Sequence, residues 1–88
     1  MNNLSENLVK AGAYIVNEWQ TKHRSLKDEE EILLILTDST YCQVDKELEI
    51  YGYGKLSFYN ETRALTPELK TSLVSKARDL SARIYNNS

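Results

Sequence analysis

The sequence predicts a single α+β domain over residues 1–88, built as a two-layer sandwich with the order α-β-β-β-α. Apolar residues recur at helical spacing near both ends of the chain, and alternating apolar and polar residues fill much of its middle. Each amphipathic helix and a three- to four-stranded antiparallel sheet would offer one apolar face. We therefore expect both helices to lie on the same face of the sheet.

The N-terminal helix is predicted from about residue 3 to residue 24. Asn3 and Glu6 have the spacing of a capping box. Gly12 lowers helix propensity by about 1 kcal/mol relative to alanine, and its place on the apolar stripe predicts the close approach of another element. The stripe consists of Leu4, Leu8, Ala11, Ile15 and Trp19.

The C-terminal helix is predicted from its start signals. Thr66 suits the N-cap, Pro67 the first helical position and Glu68 the first turn. Its predicted buried stripe consists of Leu69, Leu73, Ala77, Leu80 and Ile84, with Val74 beside it.

Residues 26–36 are ambiguous between helix and strand. Ser25 to Asp28 could cap a short helix, whereas the apolar run 32–36 also fits a strand buried on both faces. Because the run is short and a turn-rich segment follows it, we favour a strand from about Glu30.

The rest of the sheet is predicted from alternation in 41–44, 47–51 and 55–59, with a hairpin or bulge at 52–54. Leu48 and Ile50, with Leu56 and Phe58 from the next strand, are expected to face the helices. The opposite, solvent-facing side would carry Glu47, Glu49, Tyr51, Tyr53 and Tyr59.

Charge is unevenly distributed in a chain of net charge −2. Residues 28–49 contain eight acids and one lysine, a net charge of −7, whereas residues 1–27 and 62–88 are basic. Such asymmetry can steer partners or drive self-association.

The cytoplasm is the expected compartment. A single cysteine cannot form an intrachain disulfide, and the N-terminal residues lack the charged and apolar regions of a signal peptide. The longest apolar run has five residues, whereas a membrane-spanning helix needs about 20.

No recognised catalytic, metal or cofactor motif occurs in the sequence, so we expect a non-enzymatic protein without a cofactor. Cys42 and His23 are single residues of their kinds. A small thiol enzyme using Cys42 is the third and weakest hypothesis, because reactive thiols need an electropositive setting.

The leading hypothesis is a small regulator or inhibitor that binds another protein through the tyrosine-bearing, acidic sheet surface. Proteins of this description are frequent in bacteriophages and mobile elements, and pairing of exposed sheet edges makes a homodimer plausible. The residues predicted to bind the partner are Tyr51, Tyr53, Glu47 and Glu49.

The alternative hypothesis is a nucleic-acid-binding module that uses basic helix residues. It requires the two end helices to present their cations together, because phosphate contacts supply most of the affinity. The residues concerned are Lys22, Arg24, Lys70, Lys76 and Arg83.

Overall fold

A computed structural model gives the structure of this chain. Within the ranges it describes, all regular secondary structure is helical and no residue is in a strand. The predicted two-layer α+β sandwich is therefore wrong for this part of the chain, whereas the predicted strands over 41–44 and 47–51 lie outside it. The ranges described are 4–23, 29–38, 52–53 and 55–85.

Four helices make up the described structure. The long helices α1 and α4 share the most extensive contact, α2 packs against both of them, and α3 packs against α2. The helices are α1 (Glu6–His23), α2 (Glu29–Thr37), α3 (Lys55–Arg63) and α4 (Pro67–Tyr85).

Helix α1 confirms the predicted N-terminal helix but has a different cap. The Leu8 amide donates to Ser5 Oγ at 3.1 Å, so Ser5 satisfies one of the free amides of the first turn. Asn3, the predicted cap, lies outside the described residues. Glu6 pairs with Lys10 across one turn at 3.7 Å.

Helix α4 confirms the predicted start. The Leu69 amide donates to Thr66 Oγ1 at 3.2 Å, and Pro67 is the first helical residue. Leu73, Val74 and Ala77 of the predicted stripe are buried, whereas Leu69 and Leu80 are only partly buried. Ser81 is also buried, although its polarity gave no sign of this in the sequence. Ile84, predicted to be buried, is 53% exposed at the last turn.

Helix α4 lies close against α1 at Gly12, where the sequence predicted the close approach of another element. A Cβ added to Gly12 would lie 3.2 Å from Ala77 Cβ and 3.6 Å from Leu73 Cδ1. Val9, one turn earlier on α1, lines a cleft with Leu80, further along α4. The two helices are therefore antiparallel.

Helix α2 occupies the segment for which we favoured a strand, and that prediction is wrong. Ile32, Ile35 and Leu36 are buried, a spacing of three and four residues that belongs to a helix and not to a strand. Three glutamates in the first turn also suit the positive end of the helix dipole.

Helix α3 replaces the strand predicted over 55–59. Phe58 is buried as expected, but its neighbour Tyr59 is buried as well, although it was predicted to face solvent. Adjacent side chains point to opposite faces of a strand, whereas they are about 100° apart on a helix. Thr62, one turn further, completes the buried side of α3.

Tyr59 joins α3 to the end of α2. Its hydroxyl donates to the backbone carbonyl of Ile35 at 3.0 Å in a fully buried setting. This carbonyl belongs to the last turn of α2, where carbonyls lack partners within the helix. The ring also packs edge-on against Phe58, with centroids 5.1 Å apart.

We expect Tyr59→Phe to lower the free energy of unfolding by about 1–3 kcal/mol, because a buried carbonyl loses its partner. Tyr53→Phe is the matched control, since its hydroxyl makes longer contacts near the surface, and should cost less than about 0.5 kcal/mol. Urea unfolding measures both. Equal losses in the two variants would contradict the role given to the Tyr59 bond.

We expect Gly12→Val to destabilise the protein by about 1–3 kcal/mol, because the added methyl groups meet the rigid Cβ of Ala77. Ser75→Val, at an exposed site of α4, should change stability by only about 0.5 kcal/mol. Adding Ala77→Gly to Gly12→Val should recover part of the loss in the same urea assay. A Gly12→Val protein as stable as the parent would show that the helices have room there.

Candidate functional site

The sequence-predicted protein-binding residues are only partly within the described chain. Glu47, Glu49 and Tyr51 lie outside the described residues. Tyr53 is half-buried, and its ring packs edge-on against Phe58 with centroids 5.8 Å apart. The sheet face on which these four residues were expected is not formed by any described residue.

Tyr53 makes its polar contacts within the chain. Its hydroxyl lies 3.3 Å from Ser5 Oγ and donates to Glu61 Oε1 at 3.5 Å. These contacts connect the start of α1 to α3 across Tyr53. The side chain is thus engaged at the rim of the core, and we give it no place in the binding surface proposed below.

The basic residues of the alternative hypothesis are distributed over different parts of the molecule. Lys76 and Arg83 line one cleft of α4, whereas Lys70 is partly buried on another side of the helix. Lys22 is near the end of α1, which the antiparallel packing places far from Arg83. Arg24 and the Lys22 side chain are outside the described structure.

A basic cleft lies between α1 and α4. It has a volume of about 250 Å³, an apolar floor of Val9 and Leu80, and exposed cations on its rim. Asp79 stands between the cations along the helix, but no ion pair joins it to either of them in the described structure. We call the set Val9, Lys76, Asp79, Leu80 and Arg83 the basic cleft.

An acidic, partly apolar surface lies on α2. Leu34 is 45% exposed, and Glu30 lies one turn before it. Glu29, Glu30 and Leu33 also line a cleft of about 190 Å³ whose far wall is Thr71 and Val74 of α4. We call the surface made by Glu29, Glu30, Leu33 and Leu34 the α2 face.

The exposure of Leu34 is unusual for the helix that carries it. Residues 32–36 are all apolar, so α2 is apolar on every side after its acidic first turn. A helix of that kind is normally buried all round, but α2 has one leucine in solvent beside carboxylates. The apolar run was visible in the sequence, but its exposed side depended on the arrangement of the neighbouring helices.

A third depression is lined by polar groups at the start of α1. Ser5, Glu6 and Asn7 form one wall, and Gly52 and Tyr53 form the other. Gly52 has a φ of 85°, a conformation that favours glycine. The hydroxyls of Ser5 and Tyr53 in this depression bond to each other at 3.3 Å.

The described residues contain no cluster of three or more histidine, cysteine or acidic side chains that could hold a metal ion. None of the described helices combines the length and the hydropathy needed to cross a bilayer. Cys42 and the His23 side chain lie outside the described residues, so the thiol hypothesis stays a prediction.

Comparison of the chain with protein-family models, with curated proteins and with solved structures found no match.

We expect Leu34→Gln and Ile84→Gln to lower the free energy of unfolding by no more than about 1 kcal/mol, because each side chain is already about half in water. Ile35→Ala, at a fully buried neighbour in α2, should cost about 2–5 kcal/mol. Thermal and urea unfolding measure the three variants. If Leu34→Gln lowered the free energy of unfolding as much as Ile35→Ala does, Leu34 would belong to the core.

Proposed function

We propose that this chain is a small non-enzymatic protein of the cytoplasm that binds another protein and covers part of its surface through the α2 face. The observation that carries the proposal is the exposed Leu34, which adjoins a cleft with an apolar floor and an acidic rim. A contiguous apolar area with a polar rim, here the partly exposed Leu33 together with Leu34, is typical of protein-interaction sites. The single cysteine supports the choice of compartment.

The chemistry of the α2 face defines the partner. Leu33 and Val74 offer an apolar floor, and Glu29 and Glu30 place carboxylates at its edge. A lysine or arginine side chain fits this arrangement, because its aliphatic stem can lie on the floor while its charge reaches the rim. The partner surface that fits is therefore apolar at its centre and basic around it.

The expected affinity is modest. Completing the burial of Leu34 is worth on the order of 1 kcal/mol, and an exposed ion pair contributes about 0.2–1 kcal/mol. The carboxylates thus contribute more to the association rate and to the choice of partner than to the strength of the complex.

A titration with a defined probe tests the proposal. The probe is a synthetic helical peptide of leucine and lysine with all leucines on one side, and its control has glutamate in place of lysine. Two-dimensional NMR of the labelled protein should show shifts at Glu29, Glu30, Leu34 and Val74 with the basic peptide only. Binding should weaken as salt is added.

Variants make the test specific. Leu34→Gln should weaken binding about fivefold and Glu29→Gln/Glu30→Gln about tenfold. Glu6→Gln is the matched control for the charge changes and should bind like the parent, because it removes an exposed first-turn acid away from the α2 face. Shifts centred on another surface, or none with either peptide, would reject the α2 face as the binding site.

A further inference from the structure

We infer that the basic cleft is the docking site for the α2 face of a second copy of this chain. The inference rests on the proposed binding role of the α2 face and names an occupant that has a complementary surface. Each of the two surfaces has apolar residues next to charged ones, and the charges of the two are opposite in sign. One is an apolar area with a carboxylate rim, and the other is an apolar area with a cationic rim.

The groups on the two surfaces can pair directly. Leu34 of one copy meets the apolar floor formed by Val9 and Leu80 of the next. Glu30 of the first copy then faces Lys76 and Arg83 of the second, which form no ion pair with Asp79 or any other described residue. Burial of the leucine and pairing of these charges occur in the same contact, so each supports the other.

Ile84 extends the apolar part of the basic cleft. It lies one turn after Leu80 on α4 and is 53% exposed, so residues at positions 80 and 84 are neighbours on the helix surface. Leu34 and Ile84, the large apolar side chains that are exposed in the described part of the chain, thus belong to the two surfaces that the inference brings together.

The positions of the two surfaces determine the kind of assembly. The α2 face adjoins Thr71 and Val74, whereas the basic cleft contains Lys76 and Arg83. At about 100° per residue these two sets lie on opposite sides of α4. We therefore expect copies to associate head to tail, into a ring or an open chain, and not through a reciprocal two-fold contact.

Sedimentation velocity of the full chain tests the inference. The weight-average mass should rise by about 1.2- to 1.5-fold between about 20 µM and about 1 mM protein, since the modest terms above correspond to a dissociation constant of several millimolar. It should return to that of the monomer in about 1 M salt, which shortens the range of the charges. A monomer throughout the low-salt range would overturn the inference.

A charge-exchange experiment identifies the contact. Glu29→Lys/Glu30→Lys makes both surfaces basic, and Lys76→Glu/Arg83→Glu makes both acidic, so each variant alone should stay monomeric. An equimolar mixture of the two should associate as the parent does, because each then meets an opposite charge. Circular dichroism of each variant confirms that it is folded. Failure of a mixture of folded variants to associate would overturn the inference.

The peptide titration separates this inference from the proposed function. If the chain binds the basic peptide at the α2 face but stays monomeric, the proposed function is supported. The inference that a second copy binds there is then rejected. Association that survives both charge changes would reject this pair of surfaces.

Discussion

The fold depends on the close approach of α1 and α4 at Gly12. A Cβ at this position would come within 3.2 Å of Ala77 Cβ, so the absence of a side chain sets the distance between the two longest helices. Leu36 of α2 reaches the same point, since its Cδ2 lies 3.6 Å from that added Cβ. Three helices therefore meet around one glycine, and the positions of the α2 face and the basic cleft follow from how they meet.

The two proposed surfaces are on opposite sides of α4 because α2 and the start of α1 contact different sides of that helix. Val74 contributes to the wall shared with α2, and Leu80 to the floor shared with Val9. The buried stripe between them makes α4 the common support. Among the described residues, the carboxylates of Glu29 and Glu30 and the cations of Lys76 and Arg83 thus lie on different sides of α4.

The end helices could be predicted because their signals are local. Thr66 and Pro67 define the start of α4 within a few residues, and Gly12 on an apolar stripe indicated a close neighbour before any neighbour was known. The central helices α2 and α3 could not be predicted. A run of five apolar residues fits either a strand or a helix, and the alternation around Phe58 covers too few residues to distinguish the two. Tyr59 settled that choice only through its buried contact with α2. The sequence also could not predict which side of α2 is exposed, since that depends on where the neighbouring helices lie.

The bond from Tyr59 to the Ile35 carbonyl also determines how local opening occurs. Unwinding the last turn of α2 would leave the buried Tyr59 hydroxyl without its bond to Ile35. Displacing α3 would likewise remove the partner of the buried Ile35 carbonyl. Neither helix can therefore open alone without leaving an unsatisfied polar group in the core. We therefore expect the amides of α2 and α3 to exchange their hydrogens with solvent as one cooperative unit, although the two helices are distant in the chain.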